Sequence, residues 1–141
     1  MRKILAIAVL LFFISAATPF KVAIGGNESQ LAPKMTVIFD EPQPSRVFIN
    51  FFYFFNQAMI RWWQEEGRLT AKGEWKIFVS EYRDEQLKPV GVMVAAARSA
   101  PGLRIIFGFW PVTAKNAKTT AATVADAAIL VIKATAKEDE K

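Results

Sequence analysis

The chain has 141 residues, no cysteine, no histidine, a formal net charge of +5, and 52% hydrophobic and 13% aromatic residues. That composition excludes disulfides, thiol nucleophiles, Ser-His triads and His- or Cys-ligated metal sites. It is too apolar for a disordered chain. Because the basic residues are interleaved with acids and no face concentrates them, no nucleic-acid partner is expected.

Arg2 and Lys3 precede an unbroken apolar run over residues 4–14, and Ser15, Ala16 and Ala17 then supply the small side chains that a signal peptidase reads. The run has about 11 residues, where a membrane span needs roughly 20. Residues 1–17 are therefore expected to be a cleavable signal peptide, and the mature protein periplasmic or secreted. No cysteine follows the run, so a lipoprotein anchor is excluded. Removing 17 of the 141 residues leaves 124, enough for one domain and one core. The expected organisation is a polar lead-in over 18–33, a single α+β domain over 34–137, and a charged tail over 138–141 that frays.

Residues 34–40 read as a first strand, with Met35, Val37 and Phe39 alternating with Thr36, Ile38 and Asp40 until Pro42 and Pro44 stop it. Over 45–68, Arg46, Asn50, Gln57, Arg61, Gln64 and Arg68 recur at helical spacing, and Phe48, Phe52, Phe55, Met59, Trp62 and Trp63 gather opposite. Ser45 stands where an N-cap belongs, and a long amphipathic helix is expected. The competing reading is a strand over 46–55, favoured by its aromatic and β-branched content. The common register of polar positions on both sides of residue 55 argues for the helix.

From Trp75 the period changes to two, predicting a strand through Tyr82, a second over 90–97 and a third over 103–110. Gly91 and the alanines at 95–97 leave room for close packing, for which a helix is the expected neighbour. Residues 113–137 carry Ala117, Ala121, Val124, Ala128, Val131 and Thr135 at helical spacing and predict an Ala-rich helix that docks by a narrow stripe. The fold expected is α+β: a small antiparallel sheet of about four strands, order β-α-β-β-β-α, packed against a long aromatic-rich helix and an Ala-rich C-terminal helix.

Little chemistry remains for catalysis. The carboxylate pairs Asp40 with Glu41, Glu65 with Glu66 and Glu74 with Glu81 are adjacent in loops, diverge on a helix, or fall on opposite strand faces. No serine stands in a Ser-x-x-Lys pattern. The Asp residues do not cluster into a calcium loop, and Gly25-Gly26 is too short to cradle a phosphate, so no metal or cofactor is expected. The protein is expected not to be an enzyme.

Aromatic density over 48–63 is the outstanding feature. Most of it should form core, since burying a large apolar side chain contributes roughly 1.5–3 kcal/mol. Tyr53 and Phe54 fall near the polar side of the helix and should be left over. With Arg61, Trp62, Trp63 and Trp110 they are the expected contact residues for a partner, another envelope or secreted protein. A second expectation is a lipid or other apolar small molecule held between helix and sheet, in space left by Gly91 and residues 95–97 beneath Trp62 and Trp63. A variant lays the helix on a membrane surface, with Arg46, Arg61 and Arg68 toward headgroups and the Trp pair at the interface.

Overall fold

The computed structural model describes residues 32–100 and 102–141, so the expected signal peptide and nearly all of the lead-in lie outside the described residues. The elements are β1 (Lys34–Phe39), α1 (Arg46–Trp62), β2 (Glu74–Arg83), β3 (Pro89–Arg98), β4 (Arg104–Pro111) and α2 (Ala117–Glu138). They follow the β-α-β-β-β-α order of the α+β arrangement read from the sequence. One four-stranded sheet, ordered β1-β2-β3-β4, carries both helices.

The sheet is mixed, where the sequence suggested antiparallel pairing throughout. β2, β3 and β4 form an antiparallel meander, but β1 pairs with β2 in parallel, Lys34 beside Glu74 and Phe39 beside Val79. The cause is α1 itself. A helix that leaves one strand and packs back on the sheet returns the chain to the starting end, so the next strand runs parallel.

α1 is a helix from its first turn, including the stretch that β propensity would have made a strand. The Ser45 hydroxyl accepts a hydrogen bond from the Phe48 N–H at 3.1 Å, capping one of the unpaired N-terminal donors. Phe48, Phe51, Phe55, Met59 and Trp62 then bury one face at steps of three, four, four and three. This corrects the expected stripe in two places: Phe51 is fully buried while Phe52 sits half-buried at the border, edge-on to Phe39 with ring centroids 4.6 Å apart, and Trp63 is only half-buried. One π-helical turn, Trp63–Gly67, follows, and Arg68–Thr70 closes the helix. The rings of Trp62 and Trp63 fold over Gly67, where an added Cβ would lie 2.7 Å from Trp63 and 2.9 Å from Trp62.

Strand parity sorts the sheet into two faces. Trp75, Ile77 and Val79 of β2 and Val92, Val94 and Ala96 of β3 are buried beneath the helices and complete the core. α2 docks through Ala117, Ala121, Val124, Ala125, Ala128, Ile132, Thr135 and Ala136. Five alanines in that stripe let its backbone come close to the large side chains of α1. The stripe departs from the expected one by using Ile132 where Val131 was read, and Val131 is only half-buried. By length and composition α2 could cross a membrane, yet here its Ala face is packed against the rest of the core.

Polar clasps close both ends of the sandwich. At one end, buried Glu81 of β2 accepts the Ser45 hydroxyl and the Ser45 N–H (3.2 Å), and pairs with the Arg83 guanidinium at 2.6 Å. The cap residue of α1 is thereby fixed to the sheet. At the other end, the fully buried guanidinium of Arg98 makes a two-pronged pair with the Asp139 carboxylate. It also donates to the Gly102 carbonyl at 3.2 Å and lies over the Trp75 ring at 5.6 Å. Glu138 pairs with Arg104 at 3.2 Å and Glu140 with Lys72 at 3.6 Å. The tail expected to fray is therefore tied to the sheet and to the end of α1. Gly73 makes the turn there, at φ 81°, and a Cβ on it would sit 1.8 Å from the Ala100 carbonyl oxygen.

A candidate interaction surface on the outer sheet face

Both helices lie on one side of the sheet, and among the described residues no helix or strand covers the other. Pairing register fixes what that outer face carries. Ile38 of β1 stands beside Phe78 of β2, Phe78 beside Ala95 of β3, and Ala95 beside Phe107 of β4. In the neighbouring rows, Tyr82 is beside Gly91, Met93 beside Phe109, and Ala97 beside Ile105. On this face β3 carries Gly91, Met93, Ala95 and Ala97, small residues interrupted by Met93. They lie between Phe78 and Tyr82 of β2, with Lys76 and Ser80 among them, and Ile105, Phe107 and Phe109 of β4. Ala95 and Ala97 are buried against Phe78, and an added Cβ at Gly91 would lie 2.7 Å from the Phe109 ring. Tyr82 and Phe109 meet edge to face at 5.4 Å between centroids.

The β4 side is the most exposed. Phe107 keeps 54% of its surface open, Phe109 47% and Ile105 40%. β4 is also an edge strand, bonded to β3 on one side only. Large, ordered apolar side chains left open beside an unpaired edge are what interaction surfaces present, whereas single exposed apolar residues are commonplace.

The residues expected to make contact are scattered. Tyr53 is 55% exposed on α1, its hydroxyl accepting from the Gln57 amide at 2.9 Å. Phe54 beside it is half-buried, 5.2 Å from the Tyr53 ring, with the Lys118 ammonium 5.4 Å from its centroid. Arg61 is exposed near the end of α1. Trp62 is buried in the core at 8% exposure, and Trp63 is half-buried against it. Trp110 is half-buried on the helix side of β4, its ring lying over Gly108, where an added Cβ would meet it at 2.3 Å. Tyr53 and Phe54 therefore form one small pair, and the three Trp side chains belong wholly or partly to the core.

The space expected between helix and sheet also falls elsewhere. Of the small residues at 91 and 95–97, only Ala96 faces the helices, and the others lie on the outer face. With Trp62 in the core, a membrane-lying α1 would lack half of its expected aromatic anchor. The indole N–H groups of Trp62 and Trp75 are buried without an acceptor, and nothing in the structure explains them.

Residues 103–110 are apolar at both parities, a pattern that leaves a strand with two apolar faces, and this signal is weaker than the aromatic density of residues 48–63. The helices lie over only one of those faces, and cover it in part, since Ile106 stays 39% exposed. No protein-family model matches the chain, and a search of curated proteins finds no match.

Proposed function

We propose that this chain is an exported, non-catalytic accessory or binding protein of the cell envelope or extracellular space. It contacts another protein through the outer sheet face and its β4 side, and not through α1. One observation carries the reading: Ile105, Phe107 and Phe109 stand open together along an edge strand, beside the small residues Gly91, Ala95 and Ala97 of β3. The export half rests on residues 1–17, whose order of charge, apolar run and small residues is that of a signal peptide. The carboxylate chemistry left to a chain without His or Cys is weakened further, since Glu81 is engaged in holding the cap of α1.

Two double substitutions separate the surfaces. Phe107→Ser with Phe109→Ser should abolish partner capture while leaving the circular dichroism spectrum native, because both side chains are largely exposed. Tyr53→Ser with Phe54→Ser should leave capture intact. The opposite outcome would return the contact to the helix.

A further inference from the structure

We infer that two copies of this chain join edge to edge through β4, in an antiparallel ladder with its two-fold axis at Phe107. The inference stands on the geometry of β4 and does not depend on the partner proposed above.

Backbone geometry comes first. Just past the ladder, the Val112 N–H donates to the Val90 carbonyl at 3.2 Å. In antiparallel pairs, residues that exchange bonds alternate with residues that do not. Carried along the register, this turns the backbone groups of Arg104, Ile106, Gly108 and Trp110 toward β3. Those of Ile105, Phe107 and Phe109 point to the free edge. A two-fold axis at Phe107 sets Phe107 against its own copy and Ile105 against Phe109 of the second copy. Every outward N–H and C=O of these three residues then finds a partner.

Side chains agree with the same register. On the outer face the opposed residues are Ile105 with Phe109 and Phe107 with Phe107, all apolar. On the helix face Ile106 stands opposite the second copy's Gly108, over which that copy's Trp110 ring lies. Arg104 stands opposite Trp110, as a guanidinium over an aromatic ring would.

Charge permits the approach here. The whole chain carries +5 and repels its copies on average, but the only charge on β4 is Arg104, already paired with Glu138. Since Glu138 reaches β4, the residues stacked with it at helical spacing, Ala134, Val131, Ala127 and Thr123, run along the flank of α2 above this edge. None is charged, and Leu130 beside them is 68% exposed. Edge strands normally carry a Lys, a Pro or a bulge that blocks such pairing. From Ile105 to Trp110 the strand has no Lys or Pro, and its register with β3 is unbroken.

The area suffices for a modest dimer. Eight residues of strand extend about 27 Å. A sheet plus one helix layer is about 20 Å thick, so the edge offers about 540 Å² per copy, or roughly 1,100 Å² in total. That lies near the lower end of specific interfaces.

Sedimentation equilibrium of the full chain as it accumulates in its host should give twice the protomer mass. Phe107→Lys, at an exposed site, sets like charges against each other on the axis and should weaken association at least about tenfold. Phe107→Pro should do the same with an unchanged circular dichroism spectrum, since the lost N–H points away from β3. Should the proline variant unfold, the lysine variant decides. Because the chain lacks cysteine, Phe107→Cys adds a unique thiol about 5.5 Å in Cα separation from its copy and should oxidise to a covalent dimer. Tyr53→Cys should not. A protomer mass at every concentration would overturn the inference, as would a dimer indifferent to the Phe107→Lys change.

Discussion

The Arg98 guanidinium is fully buried at one end of the sandwich, and what makes this tolerable is the Asp139 carboxylate with two backbone carbonyls. A buried charge stripped of its partner is strongly destabilising. Asp139→Asn keeps the shape and removes the charge, and should lower unfolding free energy by about 1.5–3 kcal/mol, read from urea denaturation. Hydrogen bonding from Arg98, more than any other cause, holds the Asp139 carboxyl below its ordinary pKa. A lowered carboxylate pKa contributes stability in full above the unfolded value and loses it as pH falls through the folded one. The difference between native and Asp139→Asn proteins should therefore be constant near neutrality and shrink below about pH 4. Leu87 offers a change of opposite sign. It takes φ 62° in the β2–β3 turn with its side chain in solvent, a conformation that strains a branched side chain and suits Asn or Gly. Leu87→Asn should raise stability by up to about 1 kcal/mol, seen as a higher Tm.

At the scale of elements, most of the helices and strands were legible because each has one dominant period, whereas β4, apolar at both parities, was legible from its flanking turn residues and β-rich content. The polar register across residue 55 outweighed the β-branched and aromatic content of residues 46–55, since a helix there can bury Phe48, Phe51 and Phe55 together. Two features were not legible. Parallel pairing of β1 depends on the path of the crossover, not on the composition of either strand. The fixed tail depends on Arg98, Arg104 and Lys72, which are 41, 34 and 68 residues from their partners and are assembled only by the fold. The π turn is the third element-scale feature, and it seats two consecutive Trp rings over Gly67. Gly67→Ala would gain helix propensity on an exposed helix, but here its methyl collides with both rings. It should destabilise by about 1–3 kcal/mol, with a change in Trp fluorescence at the same site.

The described residues form a two-layer sandwich with helices on one side only, and that asymmetry leaves the other sheet face open. The densest run of aromatics in the chain, eight of its 18 within residues 48–63, points to α1 and the turn that follows it. Folding absorbs them: Phe48, Phe51, Phe55 and Trp62 are core, and only Tyr53 is largely exposed. The aromatics left over are on β4, in a segment whose apolar residues occur at both parities. That pattern was readable as a strand but not as a surface, since which face the helices cover is settled only in three dimensions. The most direct test places a photo-reactive phenylalanine analogue at Phe107 in one strain of the host and at Tyr53 in another, then weighs the adducts formed in living cells. The outer sheet face predicts a defined adduct with another protein from Phe107 and none from Tyr53, distinct in mass from the cross-linked pair of copies. Adducts from Tyr53 alone, or from neither position, would contradict it.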